Sequence, residues 1–365
     1  MNMTTPGRLA AAPRGGTRPD RETRIGSGAL TSPLPLVACG DRSPRGRNPS
    51  VCVGRHALAA ALLAACTLPA QARVVRIVID ERQTVQLPGQ TLATEQIAGR
   101  AFGELDPALP GNAIIQDIRS GLDADGKLRY VASFVITKPL DASKASGLMW
   151  HDVPNRGWPY AINATERNAG DIGLASAWQG DNAAIDANNG TAVRATMAVG
   201  GRHFLRLPVA RNADGSPITG LVFGRIVNRS GPASQPLIVQ SNPVPYRPAS
   251  LDRVHDRLVM RDGESTTGVV TGEVEIAKDD WRWAVCDATS PFPGRPDPTQ
   301  ICLKAGFDER KLYQLVFTAA NPPVLGAGFA AWRDVVQWFK TAKVDDEGTA
   351  NPLAGQVKHS IARGV

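Results

Sequence analysis

Two cysteines are the clearest candidates for chemistry in this chain. Cys286 and Cys302 lie 16 positions apart, and a loop rich in Pro and Gly occupies residues 290–298 between them. Thiols at this spacing around a turn-forming loop suit a disulfide, and closing such a loop stabilises a fold by about 3 kcal/mol in the chain-entropy description. The alternative is a pair of unrelated buried thiols. No other Cys or clustered His is near enough in sequence to suggest zinc.

A glycine-rich segment over residues 326–331 is the next candidate, because it matches a loose dinucleotide-binding fingerprint. Pro322 and Pro323 stand where the preceding strand should be, and Asp345 and Asp346 fall in a turn rather than at the end of a second strand. Helix packing therefore explains these glycines better. The sequence contains no His-Glu-x-x-His pair, P-loop or EF-hand, and it predicts neither a cofactor nor a metal site.

The positive charge of the chain is concentrated in its leader. The net charge is +7, and residues 1–72 hold nine Arg, no Lys and three acidic residues, which leaves the remainder close to neutral. A basic footprint confined to a leader does not describe a nucleic-acid-binding face. We therefore expect no nucleic-acid partner.

The leader has the features of an export signal. An apolar stretch over 57–65 follows Arg55 and is too short to span a bilayer, and residues 70–72 form an Ala-x-Ala cleavage site. We predict a signal peptide over 57–72 and a periplasmic or secreted mature protein. A buried core helix is the alternative reading of the apolar stretch. Residues 63–66 also fit a lipoprotein cleavage pattern, which would tether the protein to a membrane through Cys66.

Residues 1–56 have no pattern that could build a core. They are rich in Arg, Pro and Gly and show no apolar periodicity, so we predict a disordered leader or a wrongly assigned start, with initiation near Val51 or Val53.

The elements that must position any site follow Arg73. Apolar runs without strict alternation fit strands buried on both faces of a mostly parallel sheet. We predict strands over 74–80, 130–136, 147–153, 171–176 and 357–365. Helices are predicted over 308–316, with Asp308 as its cap, and over 329–339.

The middle of the chain has a different pattern. Short strand candidates alternate there with Asn, Gly, Pro and Ser turns. They cover residues 192–199, 221–227, 236–239, 257–260 and 270–276. We predict an N-terminal α/β part over 73–181, a β-rich insertion that sets specificity over 182–285, and helices and a strand over 286–365.

Several separated motifs then point to a family. They are Phe-Gly-Glu-Leu-Asp-Pro at 102–107, Val-Pro-Asn-Arg-Gly at 153–157, Ala-Trp-Gln-Gly-Asp at 177–181, Cys-Leu-Lys-Ala-Gly-Phe-Asp at 302–308, and Arg333-Asp334. In this order they resemble exported α/β-hydrolase-domain proteins from about residue 75 to the end. The resemblance implies an α/β-hydrolase-type, mostly parallel sheet with a β-rich insertion, and a serine hydrolase acting on a small ester-like molecule.

The same resemblance places the nucleophile outside the chain. In that family a strand leads into a tight Gly-x-Ser turn, and here residues 362–365 form the approach, with Gly364 two places before the expected serine. The acid and the histidine follow the serine in chain order. The resemblance thus implies a chain truncated at the nucleophile strand, without a catalytic residue.

The remaining histidines and acids are then expected to be structural, or in the case of the acids to lie on the substrate side. They are His151, His203, His255, His359, Asp152, Asp171 and Asp181.

One part of an active site is still expected. The loop after Val153 is where the family resemblance places the second amide of an oxyanion hole, although Trp158 stands where a small residue is expected. The loop after the next strand should meet it at the same sheet edge. Our pocket candidates are Asn155, Arg156, Gly157, Trp178, Gln179 and Asp181.

Two functions follow from this reading. The first is hydrolysis of a carboxylic ester by the full-length product, with the present chain an inactive fragment. The second is a non-catalytic binding or structural module of hydrolase-like fold, either periplasmic or lipid-anchored.

Overall fold

The structure is a computed structural model that describes residues 73–158, 162–182, 196–226, 233–237 and 244–364. The predicted leader over 1–56, the signal peptide over 57–72 and the acylation site at Cys66 lie outside these ranges. They stay predictions. Within the described ranges, no helix combines the length and the apolar character that crossing a membrane requires.

The largest element is a seven-stranded sheet, which we call the main sheet. Its strands run in the order β1-β2-β3-β5-β4-β17, with β6 beside β3. The strands are β1 (Val74–Val85), β2 (Thr94–Leu105), β3 (Leu128–Pro139), β4 (Leu148–Val153), β5 (Ile172–Ser176), β6 (Leu205–Arg206) and β17 (His359–Gly364). The strand predictions over 74–80, 130–136, 147–153, 171–176 and 357–365 are confirmed within these bounds.

The predicted α/β-hydrolase-type, mostly parallel sheet is wrong. β2 is antiparallel to both β1 and β3, and β3 is antiparallel to β5 and β6. Only β4 pairs in parallel, with β5 and β17. Strand accounts for 42% of the structure and helix for 14%. Residues 86–93, which join β1 to β2, are too few for the crossover that a parallel pair requires.

The burial of β3 explains why its sequence suggested a parallel sheet. Phe134 and Ile136 face the main core, while Val135 packs with Met197 and Phe204 on the opposite face. The strand is therefore apolar on both faces although its neighbours are antiparallel. Burial on both faces removes the alternation that normally identifies an antiparallel strand.

Helices are few and the longest one covers the main sheet. They are α1 (Pro110–Ala113), α2 (Ala164–Asn168) and α3 (Gly328–Thr341). The helix predicted over 329–339 is confirmed in α3, whose Phe339 ring lies 4.8 Å from that of Phe134. Arg333 on α3 binds both Asp334 and the Asn112 side chain of α1, so the Arg333-Asp334 motif fastens the two helices together.

A second region, residues 219–320, forms smaller antiparallel sheets. One sheet has the order β13-β10-β16-β7 with β9 beside β16, another has the order β14-β15-β8, and β11 pairs with β12. The strands are β7 (Thr219–Ile226), β8 (Ser234–Pro236), β9 (Arg247–Pro248), β10 (Arg257–Arg261), β11 (Gly263–Glu264), β12 (Val270–Thr271), β13 (Val274–Glu275), β14 (Trp281–Val285), β15 (Arg295–Leu303) and β16 (Leu312–Ala320).

The strand predictions for this region are largely confirmed. Those over 221–227 and 257–260 correspond to β7 and β10, and shorter strands lie within or beside 236–239 and 270–276. Half of the segment 192–199 lies outside the described residues, and its described part, 196–199, contains no strand.

The helix predicted over 308–316 is wrong, because this stretch leads into β16. Tyr313, Leu315 and Phe317 are buried at alternate positions, and β16 pairs with β7 and β10. Helical spacing is present at Leu312, Leu315 and Val316. Burial at every second residue, however, continues to Ala319, and this longer pattern is that of a strand.

The predicted disulfide is confirmed. Cys286 follows β14, Cys302 lies in β15, and the two are bonded with Cα atoms 5.6 Å apart. The bond joins adjacent antiparallel segments beside the aromatic core of the second region, which includes Trp281 and Trp283.

Candidate functional site

Three parallel strands bring the predicted pocket residues to one edge of the main sheet. Asn155, Arg156 and Gly157 follow β4, and the segment with Trp178, Gln179 and Asp181 follows β5. Gly364 ends β17 opposite Val153, the last residue of β4. The carboxyl ends of parallel strands meet at one edge, where open sheets commonly bind ligands.

The loop after β4 is a tight turn held in an unusual backbone conformation. The Trp158 amide donates to the Asn155 carbonyl at 3.0 Å, while Arg156 and Gly157 have φ values of 50° and 82°. A Cβ atom on Gly157 would lie 2.6 Å from the His203 carbonyl oxygen, so only glycine fits this position.

Hydrogen bonds tie this turn to the loop after β5. The Arg156 amide donates to the Gln179 side chain at 2.7 Å, and the Arg156 guanidinium binds the Asp181 carboxylate at 3.0 Å. Three of the six predicted pocket residues are thus joined by hydrogen bonds, and Gly157 is the next residue in the turn. The two loops form a single polar wall.

The Gly157 amide differs from its neighbours in that turn. Its carbonyl accepts from the His203 amide at 2.7 Å, but its N–H donates to no acceptor within the described ranges. Gly157 is buried, and a buried backbone N–H normally has an acceptor, so this donor stands out in the turn.

Aromatic side chains form the rim of the site. The Trp178 indole N–H donates to the Pro154 carbonyl at 2.9 Å, and its ring stacks on Phe329 at 4.9 Å. Phe329 is 64% exposed and Trp158 is 57% exposed. The Arg202 guanidinium lies over the Trp158 ring. Trp158, which interrupts the expected run of small residues, therefore points outward rather than filling the turn.

Two contributors were missed by reasoning from sequence. Phe329 was assigned only to the apolar face of a helix, yet it begins α3 over the Trp178 loop. Gly328 beside it permits the approach, since a Cβ there would lie 2.0 Å from the Trp178 carbonyl oxygen. Tyr246 is the second: burial, and then the Asp181 charge, raise the pKa of its hydroxyl. Neither residue lies in a recognisable motif.

The histidines near the sheet are structural. His151 contacts Ser176 at 2.9 Å and His203 contacts Ser133 at 3.1 Å, and these are the two Ser–His hydrogen bonds within the described part of the chain. All four side chains are buried. Burial lowers the pKa of His151 to about 3 and that of His203 to about 4, so both are neutral at pH 7.

Asp171 is structural as well, since it accepts hydrogen bonds from Ser146 and from the Trp150 indole. Among the described residues, no group of three or more His, Cys, Asp or Glu side chains could hold a metal ion.

Comparisons of the chain with protein-family models, with curated proteins and with solved structures gave no match. The family resemblance drawn from the motifs therefore stays a prediction, and the site must be interpreted from its own geometry.

Proposed function

We propose that this protein takes part in the hydrolysis of a carboxylic ester, and that the wall formed by the loops after β4 and β5 binds the ester. The observation that carries the proposal is the Gly157 amide, which has no acceptor among the described residues and lies in the same turn as the Arg156–Asp181 ion pair. An ester carbonyl oxygen needs such a donor when negative charge develops on it.

Each part of the wall has a role in this proposal. The Gly157 N–H binds the carbonyl oxygen, and the exposed rings of Trp158 and Phe329 cover the apolar part of the ester. Arg156 is held in place by Gln179 and Asp181 and therefore keeps the turn in its left-handed conformation.

The attacking group of the proposed reaction is not among the described residues. Both described Ser–His contacts are buried, which keeps their hydroxyls from substrate. β17 lies beside β4 and Gly364 pairs with Val153, so the carboxyl end of β17 lies next to the 155–158 turn.

A non-catalytic binding module is the second candidate function. The burial of the two Ser–His pairs favours this candidate, because it leaves the polar wall without a described nucleophile. Such a wall can bind an ester but cannot cleave it. The nucleotide sequence after the Val365 codon separates the candidates: an in-frame serine there favours hydrolysis, and a stop codon favours binding alone.

Binding and turnover can be measured separately. We expect N-(4-nitrophenyl)butanamide, an uncleavable analogue of p-nitrophenyl butyrate, to bind residues 1–365 in a calorimeter, and R156A to weaken that binding about fivefold. R211A is the control, since Arg211 pairs with Asn321 elsewhere. We expect no turnover of p-nitrophenyl butyrate by residues 1–365. Absence of binding would overturn both candidates.

Export fits either candidate and is part of the proposal. The Cys286–Cys302 disulfide favours an oxidising compartment, where such bonds persist. Mass spectrometry of the mature protein from the native host tests it: a start at Arg73 indicates release, and an acylated Cys66 indicates a lipid anchor.

A further inference from the structure

A second candidate site lies on the main sheet, where β6 pairs with β3 beyond the carboxyl end of β5. It is a cavity of about 470 Å³ bordered by β1, β2, β3, β6 and the turn at 346–347, and we call it the arginine groove. Its volume falls within the range of small-molecule sites. None of its lining residues belongs to the 155–181 wall.

Strand register creates the floor of the arginine groove. Arg76 pairs with Phe102, Phe102 with Val131, and Val131 with Arg206. Directly opposed residues point to the same face of a sheet, so these four side chains form one row across four strands. The row has an arginine at each end and apolar side chains between them.

The two end arginines differ in their surroundings. Arg76 lies over the Phe102 ring at 4.5 Å and contacts Glu347 at 3.6 Å, where both side chains are well exposed. Arg206 makes no ion pair and no side-chain hydrogen bond within the described ranges. Its guanidinium is therefore available to an incoming anion, while Arg76 remains tied to the ring.

The third arginine of the groove is already occupied. Arg129 binds Asp123 at 2.9 Å and also contacts Asp125 and Glu104, and Glu104 in turn binds Arg73 and Lys127. These acids are neutralised by their own partners. Asp346, which also lines the groove, shares Arg73 with Glu104, so the groove and its charged neighbours carry no net charge. Arg206 is the arginine of the groove that has no ion pair among the described residues.

We propose that the arginine groove binds a small aromatic acid, with its carboxylate or sulfonate on Arg206 and its ring against Val131 and the part of Phe102 that Arg76 and Arg100 leave uncovered. An arginine presents two parallel N–H donors that match a carboxylate or sulfonate. Arg206 and Phe102 are two strands apart, about 10 Å at the backbone. Long side chains shorten that gap to the size of one or two fused rings.

The test uses 8-anilinonaphthalene-1-sulfonate as the anionic probe and N-phenyl-1-naphthylamine, which has the same rings without the sulfonate, as the neutral one. We expect saturable fluorescence of the anionic probe with the full chain, and about a tenfold loss of affinity in R206A. The neutral probe should bind more weakly, and its affinity should be the same for R206A and the wild type.

R119A is the matched control, because Arg119 is exposed, makes no ion pair in the described part of the chain and lies outside the groove. Its affinity for the anionic probe should equal that of the wild type. R206E, a second exposed variant that leaves the core untouched, should abolish binding.

Two results would overturn the proposal. One is equal affinity of R206A, R119A and wild type for the anionic probe, and the other is an equal loss for both probes in R206A. Far-UV circular dichroism of each variant shows that the fold is unchanged, so a loss of binding is assigned to the removed charge.

Discussion

The main sheet and the second region are both built of strands, but they are stabilised differently. In the main sheet, β3 is covered on both faces, by α3 on one side and by Met197 and Phe204 on the other. In the second region β7 keeps one face in solvent, where Phe223 is 66% exposed. The first depends on burial and the second on burial supplemented by cross-links.

The cross-link is the Cys286–Cys302 disulfide, whereas surface ion pairs occur in both regions. Arg257 binds Glu273 and Glu275, and Arg261 binds Glu273 and Glu264, across β10 and its neighbours. The aromatic core around Trp281 and Phe317 is smaller than that of the main sheet. A sheet with one open face buries less apolar surface, so covalent and charge contacts count for more.

The largest expected effect is in the main sheet. F134A should lower the free energy of unfolding by about 3–5 kcal/mol, because Phe134 is fully buried against Phe339 and leaves a cavity. Urea denaturation followed by tryptophan fluorescence measures it. F223A, which removes the same side chain from the exposed face of β7, should cost less than about 1 kcal/mol. Equal costs would contradict the contrast between the two regions.

The next effect belongs to the second region. The double variant C286A/C302A should lose about 3 kcal/mol, since the disulfide closes a loop of 16 positions. Hydrogen exchange should show the loss in β14 and β15, with amide protection in β2 and β3 unchanged. Uniform loss across both sheets would mean that they unfold as a single unit.

A pH effect of smaller size is expected from the main sheet. The pKa values of His151 and His203 are lowered by burial to about 3 and about 4. The unfolded chain therefore takes up protons below pH 6.5 while the folded chain does not, and stability is full above that pH and falls below it. Between pH 6.5 and 5 each histidine should contribute a loss of about 1.5 kcal/mol.

Denaturation midpoints across that window measure this loss. H203Q should remove one histidine's contribution to the fall of the free energy of unfolding with decreasing pH. H255Q, at an exposed position, should leave that pH dependence unchanged. A wild-type free energy of unfolding that is flat between pH 6.5 and 5 would contradict the neutral, buried state of both rings.

The smallest effect concerns the surface ion pairs. Hydrogen bonds from Arg257 and Arg261 lower the pKa of Glu273, so E273Q should reduce stability slightly at low ionic strength. The difference should vanish in 1 M salt, because exposed pairs are screened. Thermal melts at two salt concentrations test this, and a difference that survives high salt would show that the contact is not mainly electrostatic.

Local patterns predicted many elements correctly. Five of the seven main-sheet strands and helix α3 were found because apolar periodicity records which face of an element is buried. The disulfide was found because spacing and a turn-forming loop restrict which thiols can meet. The helix over 308–316 failed because a short stretch satisfied both periods, and only pairing with β7 and β10 selected the strand.

The predictions of strand direction and of contacts within the site were less complete. Sequence placed the pocket candidates after β4 and β5, and the structure brings Arg156, Gln179 and Asp181 into contact there. Phe329 and Tyr246 were missed because they come from distant segments with no motif of their own. The arginine groove was missed for the same reason, since its row exists only through strand register.

The sequence by itself determined several of the strands, the position of helix α3 and which cysteines join, because these depend on periodicity and spacing along the chain. Only the tertiary structure decided which strands pair and in which direction, since an apolar run is compatible with either orientation. It also decided which charges remain without partners, as for Arg206, because ion pairing depends on side chains far apart in sequence.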